Sequence, residues 1–133
     1  GRTITPKDIK LMVNIDQIGS TLAPLHKNRP DYLIMLGTHS LKRTDQDMLE
    51  YCNRRYGIYM DIALDYYGSK NFTRMFYRLS DQRIFVDNGI PAVLFTSGIT
   101  MNTNRTWDTA ESIDYEVFKK RICLIFEWLE KIL

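Results

Sequence analysis

The sequence predicts an α/β domain, a three-layer sandwich on a mixed, largely parallel sheet. Three observations predict it. Apolar runs of strand length at 10–16, 31–37 and 90–95 are separated by segments with helical spacing, and strands alternating with helices imply a sheet covered by helices. The run Ile90 to Phe95 is apolar at every position, which suits a strand buried on both faces. The carboxyl-terminal stretch repeats apolar residues three and four apart, the pattern of an amphipathic helix laid on a sheet. The 133 residues make one domain, 1–133, long enough for a proper core.

Taken in order, residues 3–10 are polar, with Pro6 as a breaker. Lys10 to Asp16 reads as a strand ending in a carboxylate, and 17–20 turns away from it. Residues 21–30 hold two prolines and a histidine and read as a loop. Asp31 to Gly37 is a second apolar strand closed by glycine. Thr44 is a candidate helix cap, with Asp45 and Asp47 placing negative charge in the first turn. Met48, Leu49, Cys52 and Tyr56 fall at helical spacing before Gly57 stops the helix. Residues 58–67 are expected to be extended or a short strand, and 68–78 a polar, aromatic surface loop. Ser80 can cap a short helix through Ile84 and Phe85, ended by a left-handed Gly89. After the strand at 90–95, residues 96–109 are expected as a long polar loop at its carboxyl end, where open α/β sheets place their sites. Asp114 can cap the last helix, in which Tyr115, Phe118, Ile122, Ile125, Leu129 and Ile132 form the apolar stripe.

Composition narrows the function classes. The chain is 44% hydrophobic and 26% charged, which is ordinary for a globular protein. Eighteen basic and 16 acidic residues give a net charge of +2, so nothing argues for nucleic acid or an acidic membrane surface as partner. No apolar run reaches the roughly 20 residues of a membrane span. Cys52 and Cys123 stand at apolar positions of expected helices and read as buried free thiols, with a disulfide open as the alternative.

Several side chains are candidates for chemistry. Asp16 ends the first strand, a common place for a ligand or catalytic group, and equally a place for a turn cap or an ion pair. Asp81 and Asp108 bracket the strand at 90–95, where two loops would bring them near Asp16. Clustered carboxylates suit a divalent cation or acid–base work. His39 follows Gly37 and is expected to face the same rim. It and His26 are the only histidines, and two scattered histidines lack zinc-site spacing. Asn71 to Thr73 and Asn104 to Thr106 match the glycosylation tripeptide, which is common by chance. Phosphate-loop, dinucleotide and nucleophile-elbow motifs are missing from the sequence.

Three stretches together resemble a known family. Asn14-Ile15-Asp16-Gln17-Ile18-Gly19 looks like the N-x-D-M-I-G motif of the zinc-dependent aminopeptidases of metallopeptidase family 28. Ser80-Asp81-Gln82, Phe85 and Asn88-Gly89-Ile90-Pro91-Ala92 look like their S-D-H-x-x-F-x-x-x-G-I-P-A. Asn104-Arg105-Thr106-Trp107-Asp108-Thr109 and Ile113 look like their Y-H-T-x-x-D-T-x-x-x-I. Order and approximate spacing agree over nearly the whole chain.

The resemblance implies a partial zinc-exopeptidase fold, the carboxyl-terminal half of a catalytic domain. In that family two zinc ions share a bridging Asp and a water, each with a His and a carboxylate, and a Glu is the general base. Asp16 maps to one metal ligand. Gln82 stands at the motif histidine of the pocket wall. With Asp81, Phe95, Arg105 and Asp108, it is implied to line the site of a peptide or amino-acid-like ligand. Arg105 replaces the ligating histidine, and a guanidinium has no lone pair to offer a metal. Three readings stay open for Arg105: a non-catalytic binding homologue, a shifted loop in which Asp108 serves a single metal, or a carboxylate-binding arginine. The remaining ligands and the base are expected upstream of this sequence. The chain alone is therefore expected to be inactive, with zinc doubtful in it. It is also expected to pair with an amino-terminal half or with its own copy through open sheet surface.

Overall fold

The computed structural model describes residues 4–98 and 114–133. Strands β1 (Met12–Ile15), β2 (Tyr32–Leu36), β3 (Asp61–Ala63) and β4 (Ala92–Thr96) form one sheet in the order β1–β4–β2–β3. β1 pairs parallel with β4 and β2 parallel with β3, while β2 and β4 are antiparallel. The sheet is thus mixed and largely parallel, as the sequence predicts. β2 and β4 are buried at every position, because they are the two central strands and both faces are covered.

Helices α1 (Arg43–Arg55) and α4 (Tyr115–Ile132) cover one face. Leu33, Met35, Val93 and Phe95 point into that layer with Leu49, Cys52, Leu124, Ile125 and Trp128. Alternate residues Ile34, Leu36 and Leu94 point the other way. There they meet α2 (Lys70–Leu79) and α3 (Arg83–Asp87) through Tyr77, Phe76 and Val86. The period-two alternation of the strands makes three layers from one sheet.

Five local expectations are corrected. Residues 68–78 are expected as a loop, yet Lys70–Leu79 is a helix. Ser69 caps it, accepting from the Phe72 N–H at 3.2 Å, and Thr73, Phe76 and Tyr77 supply an inward face three and four apart. Ser80 does not cap α3. It ends α2, where its hydroxyl donates to the Phe76 carbonyl at 2.8 Å. Thr44 is already inside α1, because extended backbone at Lys42 starts the helix at Arg43. In α4 the buried positions are Val117, Arg121, Leu124, Ile125 and Trp128. Tyr115 and Ile122 from the expected stripe are exposed: the helix is rotated so that Trp128 meets Phe95 edge-on, with ring centroids 5.5 Å apart. Both cysteines are free, but Cys123 is exposed and only Cys52 is buried; burial raises the Cys52 thiol pKa.

The expected cap of the last helix holds. Asp114 caps α4, accepting from the N–H groups of Glu116 and Val117. Asn53 closes the end of α1 onto the next segment. Its carbonyl accepts from the Met60 N–H at 2.7 Å and its amide donates to the Met60 carbonyl at 2.8 Å. Gly37, at φ +98, turns the chain out of β2 where a Cβ would lie 2.5 Å from the Ala92 carbonyl oxygen. Ser40 bonds both backbone groups of Ala92 across that turn.

Candidate functional site

The parallel pairing of β1 with β4 decides where Asp16 sits. Ile15 and Phe95 are register partners, so the residues after them leave the sheet together at one rim. The Asp16 N–H donates to the Phe95 carbonyl at 3.0 Å. The Ser97 N–H and hydroxyl both donate to the Gln17 carbonyl, at 2.7 and 3.0 Å. Asp16 is exposed. It therefore stands at the carboxyl end of two parallel strands, the position expected of a ligand-binding group in an α/β sheet.

A buried clamp supports this rim from below. Arg121 projects from α4 and is fully buried. Its Nε donates to the Tyr32 carbonyl at 2.8 Å, and its Nη1 to the Ile18 and Ser20 carbonyls at 2.7 and 2.8 Å. The guanidinium also lies over the Tyr32 ring, 4.7 Å from its centroid. The Tyr32 hydroxyl donates to the Ser97 carbonyl at 2.6 Å, and the Tyr67 hydroxyl to the Ala23 carbonyl. Burial lowers the Arg121 pKa from its usual value, while burial raises that of the Tyr32 phenol. One cation thus organises the chain that follows Asp16. The sequence carries a signal for it: Arg121 falls at helical spacing between Val117 and Ile125, inside an otherwise apolar stripe.

Of the other expected site residues, Asp81, Gln82 and Phe95 lie within the described structure. Asp81 is exposed in the turn between α2 and α3. Gln82 is fully buried; its amide donates to the Tyr77 carbonyl, and its carbonyl accepts from the Asn14 amide at 3.2 Å. It is a strut between α2 and β1, with both polar atoms engaged inside the fold. Phe95 is fully buried in the core against Trp128. Arg105 and Asp108 lie outside the described residues, as does the loop beyond Gly98; Thr96, expected to begin that loop, is the last residue of β4.

His39 is not at the Asp16 rim. β2 runs antiparallel to β4, so the turn after β2 emerges at the opposite end of the sheet. There His39 packs edge-on against Tyr77, with ring centroids 5.2 Å apart. His26 pairs with Asp61 at the start of β3, a contact that no spacing in the sequence announces. Among the described residues, no three His, Cys, Asp or Glu side chains gather as a metal-ligand group. A zinc site needs three or four such ligands, so the described residues do not fit one.

No family model matches the chain, and no curated protein does. A solved structure does. The chain is similar to BSAP, a zinc aminopeptidase from Bacillus subtilis, with a TM-score of 0.66 at 13% sequence identity. The similarity covers 95% of this chain and 28% of that one. At this identity the likeness shows the fold: four strands and flanking helices arranged as in part of an aminopeptidase.

Proposed function

We propose that this chain is an aminopeptidase-like module. It presents Asp16 at the carboxyl end of β1 as a ligand carboxylate and does not hydrolyse peptide bonds by itself. The observation that supports this reading is the position of Asp16. The residue that resembles the family's metal ligand is exposed where two parallel strands end side by side, in a fold that matches part of a zinc aminopeptidase. Metal-assisted hydrolysis needs several ligands and a base around one water, and the described residues bring Asp16 to the rim without them.

A second reading is a peptidase-fold domain retained for binding. Gln82 favours it. At the position of the motif histidine stands an amide whose two polar atoms are engaged inside the protein, which makes that position part of the scaffold. On either reading the ligand at this rim is peptide-like or an amino acid. The edge strand β1, with Ile15 half-exposed, is the place where another chain segment or a second copy would pair.

The test is release of amino acids from unblocked peptides by the purified chain, with and without added zinc. The reading predicts no release above buffer in either case. Zinc-dependent release that disappears in Asp16→Asn would overturn it.

A further inference from the structure

At the end of the sheet opposite Asp16, a cavity of about 590 Å³ opens between α2, α3 and the turn after β2. That volume lies within the range of small-molecule sites. Its wall carries four cations, Lys70, Arg74, Arg78 and Arg83, against two carboxylates, Asp65 and Asp87. Both carboxylates are already engaged. Asp87 pairs with Arg83 at 3.8 Å, and Asp65 accepts from the Gly68 N–H at 2.8 Å. The side chains of Lys70, Arg74 and Arg78 have no acidic partner among the described residues. Val86, Tyr77 and His39 also line it, the His39 ring edge-on to Tyr77.

The stripe runs against the preferences of its own helix. Lys70, Arg74 and Arg78 follow one another at intervals of four, and like charges so spaced destabilise a helix. Lys70 is also the first residue of α2, where the helix dipole favours an anion. α2 contains no Asp or Glu to relieve either effect. A bound anion would satisfy all three cations at once.

We propose that this cavity binds a small polyanion, a ligand with two or more negative charges on phosphate or carboxylate groups. Arg74 and Arg78 grip it in the planar two-bond manner of guanidinium groups, and Lys70 supplies a further charge. The proposal does not rest on the reading of Asp16, and either can fail without the other.

Titration calorimetry with pyrophosphate and with citrate tests it. At least one probe is expected to bind in a one-to-one ratio. Arg74→Gln with Arg78→Gln is expected to weaken that binding by about tenfold or more, equivalent to about 1.4 kcal/mol. The control, Arg54→Gln, removes an exposed cation from α1, and is expected to change affinity by less than about twofold. Binding of pyrophosphate alone would assign the site to phosphorylated ligands; equal binding of citrate would assign it to polyanions in general. Failure of both probes to bind below about 10 mM, or an equal loss in Arg54→Gln, would overturn the proposal. Because all three side chains are exposed, the variants keep their core contacts, and matching melting curves would verify this.

Discussion

Arg121→Met removes the clamp beneath the Asp16 rim while keeping a side chain of comparable length. The wild-type guanidinium donates three bonds of 2.7–2.8 Å to the carbonyls of Ile18, Ser20 and Tyr32. Bonds from a charged donor contribute roughly 1.5–3 kcal/mol each. Against their sum stands the recovered desolvation penalty of a buried charge, several kcal/mol. The balance is a loss of about 3–5 kcal/mol, a large share of a typical stability of roughly 5–15 kcal/mol. With an unfolding entropy of about 2.1 cal/mol/K per residue, that loss lowers Tm by roughly 11–18 °C. Circular dichroism melting and urea unfolding at pH 7 measure it. Arg121→Lys retains the charge but cannot reach three carbonyls from one nitrogen in the same geometry, so less than half of the loss should be recovered. A melting point of Arg121→Met within about 3 °C of wild type, less than 1 kcal/mol, would refute the clamp argument.

Three further outcomes follow from the same geometry. Gly37→Ala forces a side chain onto a left-handed backbone and against the Ala92 carbonyl and the Tyr77 ring; a loss of about 2–4 kcal/mol is expected in urea unfolding, and a neutral result would show that the turn after β2 can relax. Asn53→Ala strands both backbone groups of Met60 and should lower stability by about 2–4 kcal/mol, whereas a change below 1 kcal/mol would mean water replaces the amide. Burial raises the phenol pKa values of Tyr32, Tyr67 and Tyr77 above 10.0 in the folded state. Their unfolded forms ionise first, so the stability they contribute is complete below pH 10 and declines as pH rises towards the folded values. Urea midpoints measured from pH 7 upward should therefore hold level and then fall above pH 10, and a midpoint that keeps its neutral value well above pH 10 would contradict this.

The central strands and the long helices were legible because one signal dominates each. Tyr32 to Leu36 and Ala92 to Thr96 are buried throughout and read as apolar runs. Asp114 marks the start of α4, and Gly57 the end of α1. α2 was not legible as a helix because its outer face is a row of basic and aromatic residues, and Tyr77 is its one buried residue. Strand direction is not written in an apolar run either. The antiparallel pairing of β2 with β4, Ile34 opposite Thr96 and Leu36 opposite Leu94, sends His39 to the far end of the sheet. The rotation of α4 has a comparable cause. Its apolar spacing marks a stripe of apolar residues, while one of the buried positions, the one that bonds the Ile18 and Ser20 carbonyls, belongs to a charged residue, Arg121. Of the site itself, Asp16 was legible as a strand-ending carboxylate. The burial of Gln82 was not, because an amide looks alike in sequence whether it serves a pocket or joins a helix to a strand.

Whether Asp16 finds metal-binding partners within this chain separates a ligand-presenting module from a metal-dependent hydrolase. Elemental analysis of the purified protein, after dialysis against trace zinc and then against metal-free buffer, decides this. Zinc far below one equivalent is expected, with no difference between wild type and Asp16→Asn. Zinc near one equivalent that is lost in Asp16→Asn would contradict it.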